Sequence, residues 1–591
     1  NSLNHDSIAI VSSNTFWHAV SYTYDTSGAV ILSDSLYIDS TINISELTYY
    51  NRYPMAFQIM SFVTPYGAYL DLGTYGKTWY FDVTDFAPIL KGLKRINMTS
   101  GGQWQEDMDI KFHFIVGTPP RDVVDIQQIW RPQSKGYTSI LNENSFEPRD
   151  VKLNPNAVSY KLRTVITGHG QEGEFISRDH YLNINGGSIE YTWPVWTECG
   201  GNPIYPQGGT WIYDRAGWCP GQASDLREDD ITSLVTPGQT HNIDYGVTNA
   251  SGTSNYWVSS QLVSYKAPNH NLDASVVDII SPTDKVKYSR INPTCGKPKI
   301  IIKNTGSTNL TSLKIEYWVN GSTTKEVQIW NGNLDFEEDE TVELDAPTTI
   351  WDNLLSSNKF YVEISEPNQS TDENIYNNYI NSTFEPTPSY DNVFALWMQT
   401  NSGSIGLNQS ETSWKIFDRD NNLTYESAGG GNLMINSQYR DTLIFDDGCY
   451  SFIMTDTDDD GIDFWANNDG AGMARFREIG ASWLKVFEGD FGSFIHHEFQ
   501  VNNSTSYIQE DIDTWSFYPN PAKNQVTISG VSNGITDLIL LDSLGKQLKK
   551  ITFDINGEFK KKLDLSYLKD GVYMLKVITN SEEILKKVVK I

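Results

Sequence analysis

"SYKLRTVITGHGQEGEFISRDHYLNINGGSIEYTW", residues 159–193, sets strand-like runs on either side of a long glycine-rich connection. Apolar and polar side chains alternate along the runs with the period of two that a half-buried strand requires. Long connections inside an otherwise regular β fold are where binding and catalytic groups are commonly carried. The stretch therefore reads as part of an all-β domain with its chemistry in the loop.

Working outward, the same patterning recurs. Residues 1–118 alternate in "MAFQIMSFVTPYG" and "MDIKFHFIVGTPP" and end at Pro119-Pro120, which predicts a strand-rich first domain. Residues 119–267 form a second. Residues 271–386, with the short regular strands of "PKIIIKNTGSTNLTSLKIEYWVNG", read as an Ig-like sandwich followed by a Pro-rich linker. Residues 391–504 make a further β module, and 510–591 a tail domain that turns Lys-rich in an acidic chain, a separate functional unit.

Composition bounds what such a chain does. At 591 residues it is too long for one core, and several domains are expected. A formal charge of −30, from 44 Lys plus Arg against 74 Asp plus Glu, opposes affinity for phosphate backbones, so nucleic acid is excluded as a partner. No apolar run is long enough to span a bilayer, and "NSLNHDSIAI" has neither region of a signal peptide. The sequence reads as one already processed, or one starting after its leader. The four cysteines, Cys199, Cys219, Cys295 and Cys449, include no C-x-x-C pair, which favours disulfide chemistry over a zinc ribbon or a thioredoxin-type site. For Cys295 and Cys449, which fall in different expected domains, free thiols are expected.

Three stretches carry candidate chemistry. In "WTECGGNPIYPQGGTWIYDRAGWCPGQ", residues 196–222, a bridge between Cys199 and Cys219, twenty positions apart, would stiffen a long loop at a gain of roughly 3 kcal/mol. Within it Arg215 offers a planar fork of donors, and Trp211 and Trp218 offer flat faces on which a sugar ring can stack; a stapled structural loop fits the composition equally. Glu174 stands in the glycine-rich connection near Glu172, Arg178 and His180, charges that can shift its pKa. Finally, Asp456, Asp458, Asp460, Gly461 and Asp463 spell D-x-D-x-D-G-x-D, an oxygen-rich turn suited to a structural Ca²⁺, though without the helices or terminal glutamate of an EF-hand.

The blocks "SFVTPYG", "WYFDVTDFAPILKG", "FIVGTPPRDV", "KLRTVITGHG", "EFISRDH" and "YDRAGWCPG" follow one another in the order and spacing of the peptide-N-glycosidase F family, which this region, residues 1 to about 267, resembles. The resemblance implies two adjacent eight-stranded jelly rolls with a site in the cleft between them. It also implies an amidase, needing no metal for catalysis, that hydrolyses the glycan–asparagine bond of N-glycosylated proteins or glycopeptides. Carried over by block, Asp25 in "SYTYDTSGAVIL" takes the place of the family's essential aspartate and Glu174 that of its second acid. Arg215 and Trp218 take the places of its sugar-contacting pair, with Trp211 and His169 as further substrate-binding candidates. The family's third carboxylate would fall at Thr99 or Ser100, which departs from the pattern; Glu106 lies nearby as a substitute. A disulfide between Cys199 and Cys219 would then hold a glycan-binding loop against the cleft.

Two carboxylates on a β scaffold also suit a glycoside hydrolase, and loss of one acid also suits a non-catalytic surface glycan-binding protein or adhesin. The tail, with "SFYPNPAKNQVTISG", "LILLDSLGKQLKK", "LDLSYLKDGVYMLKVIT" and "KKVVKI", resembles the type A C-terminal sorting domain of the type IX secretion system. That resemblance implies a β-sandwich read by the export machinery. It also implies a Gram-negative Bacteroidetes protein, secreted or at the outer-membrane surface, and a precursor or transport intermediate while the tail is attached.

Overall fold

Along Ser159–His169, Tyr160, Leu162, Thr164 and Ile166 are buried while Lys161 and Val165 stay partly open, so the alternation read in the sequence becomes one face turned to a core. The computed structural model describes residues 9–13, 16–38, 56–67, 70–73, 76–99, 107–187, 189–248, 253–322, 324–352, 354–355, 357–427, 433–502, 515–542, 546–579 and 583–591. The described residues are almost all β, with 49% strands and 6% helix. It divides into two units, Asn1–Gln500 and Val501–Ile591.

Between residues 121 and 268, eight antiparallel strands form two four-stranded sheets. One runs Arg149–Lys152, Thr240–Val247, Arg178–Ile184, Ile189–Val195; the other Arg121–Gly136, Asn255–Pro268, Ser159–His169, Leu226–Asp230. Trp130, Leu162, Leu182, Ile243, Tyr256 and Leu262 belong to one core cluster that draws on both sheets. Before them, regular strands among the described residues are confined to Ala9–Ser13, Phe16–Tyr24 and Val30–Ile38. The eight-stranded jelly roll expected of residues 1–118 is not drawn by these strands, and 39–55 and 100–106 lie outside the described residues.

The family-like blocks of the first region lean on the second. Phe86, in the short turn Thr84–Phe86, is buried with Ile126, Val263 and Tyr265. Beside it, Asp85 Oδ2 accepts from Arg163 at 2.5 Å and Oδ1 accepts from the Tyr265 hydroxyl at 2.8 Å, both side chains being largely buried. Asp85→Ala is expected to cost about 2–3 kcal/mol, below the ~3–5 kcal/mol of a fully stranded buried charge, because Glu228 still faces Arg163 at 2.9 Å. Denaturant unfolding measures it, and a change within about 0.5 kcal/mol, the range of an ordinary surface substitution, would remove Asp85 from the fold's support.

Beyond residue 270, seven strands between Ala274 and Phe384 divide three and four around Ile300, Ile302, Leu313, Ile315, Phe360 and Val362. Strands from Ser389 to Val501 form sheets of five, four and two around the ring cluster of Phe394, Phe452, Phe476, Phe487 and Phe499. Cys295 and Cys449 are bonded, which corrects the expectation of free thiols. They lie 154 apart in sequence, a pairing no local pattern announces, and Glu498, on the strand Phe494–Val501, holds the Cys295 segment by accepting from the Thr294 hydroxyl and the Cys295 and Gly296 N–H groups.

The tail unit is built on two long paired strands, Gln525–Leu541 and Gln547–Asp564, with Trp515–Tyr518, Gly571–Ile578 and Glu583–Lys590 completing the sheet. Val526, Ile528, Leu538 and Leu540 share one face of the first long strand and are buried together with Leu563, Leu575 and Val577. Among the described residues no helix is long and apolar enough to cross a membrane.

Candidate active site

The strand Ser159–His169 runs into a single helical turn, Gln171–Phe175, that carries Glu174. The glycines here are required by space: a Cβ on Gly168 would lie 1.9 Å from the Gly173 carbonyl oxygen, and one on Gly217 (φ +78°) would lie 2.1 Å from that of Ile166. Without side chains, three backbone segments close on one another. Gly168 N–H donates to Ala216 O at 2.8 Å, Ala216 N–H to Glu174 O at 3.0 Å, and Thr197 and Arg215 exchange N–H bonds at 2.7 and 3.1 Å. The Cys199–Cys219 bridge staples the loop, as expected for that pair.

This packing brings Glu174 and Arg215 together. Arg215 Nε donates to Glu174 Oε1 at 3.0 Å, with the arginine side chain 1% and the glutamate side chain 19% exposed. The remaining guanidinium donors go to the carbonyl oxygens of Tyr213, Trp211 and Thr210 and to the Thr210 hydroxyl. Burial raises the Glu174 pKa above its ordinary value, and the Arg215 hydrogen bond and charge oppose the rise without cancelling it. Where the resemblance implies a sugar-contacting arginine, Arg215 is buried with its donors engaged on Glu174 and on its own loop.

The tryptophans also differ from expectation. Trp211 is fully buried and donates its indole N–H to the Asp490 carboxylate at 3.0 Å, so no face is open to a ligand. Trp218 is 8% exposed, donates to Gly168 O at 3.1 Å and packs its ring 5.0 Å from the Arg215 guanidinium carbon. His169, half-buried, is paired with the Thr167 hydroxyl and lies 6.0 Å from the Trp218 ring; burial lowers its pKa. The open aromatic faces belong to residues the sequence reading passed over. Phe175, Trp196 and Tyr213 line a groove of about 560 Å³ beside the Glu174 turn, with Gln171 and Thr210 among its polar groups. Each stands next to or near a residue already singled out, and strand and turn direction decides which neighbour faces the groove.

One wall of that groove comes from far along the chain. Asp458 and Asp459 line it together with Asp214. The segment carrying them is clamped on the loop: Ser493 N–H donates to Gly200 O at 3.0 Å, the Trp465 indole to Gly209 O at 2.9 Å, and buried Arg290 bonds Asn202 O, Gly200 O and Phe491 O. From the other side Tyr66, of the "SFVTPYG" block, lies 5.8 Å from the Arg215 guanidinium carbon and bonds Gln207 and Gly208.

Asp25 is placed in the turn between Phe16–Tyr24 and Val30–Ile38, where Oδ1 accepts from Ser27 N–H and hydroxyl and from Ala29 N–H. These bonds, the Ser27 hydroxyl first, hold its pKa low. Its described hydrogen bonds stay within the hairpin. Glu106 lies outside the described residues. His180, near Glu174 in sequence, faces the core, fully buried against Tyr245.

Of the expected cation ligands, Asp456 and Asp460 are buried, whereas Asp458 and Asp463 are exposed. Asp463 stands outside the cluster that forms, because Gly461 (φ +77°) turns the chain and its neighbour meets Gly489 instead. Glu411 and Asp469, not foreseen, join Asp460 there.

Residues 136–263 match the family model described as peptide-N-glycosidase F, C terminal. Within the matched residues lie Glu174, Arg215, the Cys199–Cys219 disulfide and the aromatic residues of the groove. A curated relative, peptide-N(4)-(N-acetyl-beta-D-glucosaminyl)asparagine amidase F of Elizabethkingia miricola, is 29% identical over 215 residues, 32% of this chain. The chain spans 57% of that relative's length. Among solved structures, PNGase F, a glycosylasparaginase from Flavobacterium meningosepticum, is 27% identical, covering 26% of this chain and 57% of that one at a TM-score of 0.22. PNGF-II is 18% identical over 25% of this chain and 30% of its own, at 0.20. Residues 516–591 match the secretion system C-terminal sorting domain. The tail thus marks an exported protein, secreted or held at the cell surface, addressed to the type IX secretion machinery.

Proposed function

We propose that the chain is an exported amidase that releases N-glycans by hydrolysing the bond between the asparagine side-chain nitrogen and its acyl carbon. The observation that carries the reading is Glu174, four-fifths buried, locked by a buried arginine and set beside a groove with aromatic faces. Oε1 is taken by Arg215; Oε2 is left for a water or the substrate amide. A carboxylate so placed orients water and takes its proton as it adds to the acyl carbon. The C–N bond then breaks as the departing nitrogen takes up that proton, leaving an aspartate on the protein and a 1-amino sugar that goes on to lose ammonia. Phe175, Trp196 and Tyr213 offer rings for sugar stacking, and Asp214, Asp458 and Asp459 accept from hydroxyls. That acidic wall favours neutral sugars and disfavours sialylated or sulfated ones at the same place.

One observation favours a second reading, a glycan-binding protein without catalysis: the described hydrogen bonds of Asp25, all to Oδ1, stay within its own turn. Mass spectrometry of an N-glycopeptide incubated with the purified chain separates the two. Glycan release with conversion of the attachment asparagine to aspartate supports the amidase. Release leaving one GlcNAc on asparagine would make it a glycoside hydrolase, and retention of intact glycan without release would make it a binding protein.

A further inference from the structure

Glu411 sits between Gln409–Ser410 and Thr412–Asp418, 4% exposed, and Asp460 is 3% exposed. One carboxylate oxygen from each of these and from half-buried Asp469 lies within 4.8 Å of the others. Two oxygens in this cluster, Glu411 Oε1 and Asp460 Oδ1, are buried without a hydrogen-bond partner among the described residues. Among those residues no Lys or Arg ion pair reaches any of the three acids. Buried carboxylates this close are costly unless a cation or donor satisfies them.

The surroundings hold this shape open. Gly403 passes so close that a Cβ there would lie 1.6 Å from Glu411 Oε1, so the strand wraps the carboxylate with backbone. Asp456 has other work: Oδ1 accepts from the Asp458 and Asp460 N–H groups at 3.2 and 3.3 Å, and Oδ2 from the Thr412 hydroxyl at 3.1 Å. It shapes the loop, and Asn467 fixes the other Asp460 oxygen. An all-oxygen, multiply charged set on a loop bent at a glycine suits a hard divalent cation with room for backbone and water ligands.

We propose that Glu411, Asp460 and Asp469 hold one divalent cation of the calcium class, with Asp456 as the residue that positions the loop. The ligand set joins residues about fifty to sixty apart in sequence and replaces the contiguous set with Asp463 that the motif implies. The bound ion fixes Asp460, next to the two aspartates that wall the groove. The site does not depend on the amidase reading.

Calorimetric titration of the full chain, stripped with a chelator and dialysed, with CaCl₂ and separately MgCl₂ is the test. One Ca²⁺ per chain is expected. Glu411→Gln and Asp469→Asn should each weaken it about tenfold or more, while Asp463→Asn leaves it unchanged. Because Glu411→Gln removes a repelling charge, its melting midpoint should exceed that of the wild type in chelator and fall below it in saturating Ca²⁺. That crossing also shows the variant is folded. No Ca²⁺ uptake by the stripped wild type, or uptake abolished by Asp463→Asn and kept in Glu411→Gln, would overturn the proposal.

Discussion

Glu174→Gln should lower N-glycan release by about 10²- to 10⁴-fold, the range for losing a positioned general base, while leaving the melting midpoint close to wild type. Glutamine keeps the shape and still accepts from Arg215 Nε through its amide oxygen, so the loop stays latched. What disappears is the proton-accepting carboxylate. The same group sets the acid side of the pH profile. Its folded pKa is raised above the ordinary 4.5, chiefly by burial, and the ionised form is the active base. kcat/KM should therefore rise with pH through a value above 4.5, and that limb should vanish in Glu174→Gln. An unchanged rate in the variant would move the chemistry to another group; an unchanged limb with a lowered rate would make Glu174 a binding residue.

The largest stability effect is expected from the second disulfide. Removing the Cys295–Cys449 bond with serine at both positions frees a 154-residue loop, worth about 5 kcal/mol in the chain-entropy account, against about 3 kcal/mol for the twenty-residue Cys199–Cys219 loop. Most of the loss should arise in the unfolded ensemble, because the native contacts at that place do not depend on the bond. Glu498 still accepts from the Thr294 hydroxyl and from the backbone N–H groups of residues 295 and 296, all of which serine at 295 leaves in place. Guanidinium unfolding of the two double variants gives the order. A smaller loss for Cys295→Ser/Cys449→Ser than for Cys199→Ser/Cys219→Ser would mean that native strain or residual structure outweighs loop length here.

How far the molecule could be read from its residues depended on sequence distance. Alternation in 159–193 exposed the strands because a strand writes its burial into its own neighbours, and Glu174 could be singled out because its loop is bounded by such strands. The 199–219 bridge lay within one loop and was legible for the same reason. Groups that meet across hundreds of residues were not. Trp211 and Trp218 look like open platforms in a glycine-rich loop, and only the arrival of Asp490 and Phe464 shows that Trp211 is covered. Glu411, Cys449 and Arg290 carry no local mark of their partners. Exposure of Phe175, Trp196 and Tyr213 likewise depends on how the loop closes, which periodicity does not encode.

The clamp made by Arg290, Trp465 and Asp490 also bears on how such a chain changes over generations. Domain borders are usually crossed by few contacts, and the segments after residue 270 look like interchangeable cargo when only their outlines are considered. Here they are not. A lineage that deleted residues 389–501 would open Trp211 and Ile212 to water and strip the groove of a wall, so the deletion would have to be accompanied by a rebuilt loop between Trp196 and Gln222. The late module and the loop are therefore expected to be inherited together, and to tolerate exchange only as a pair.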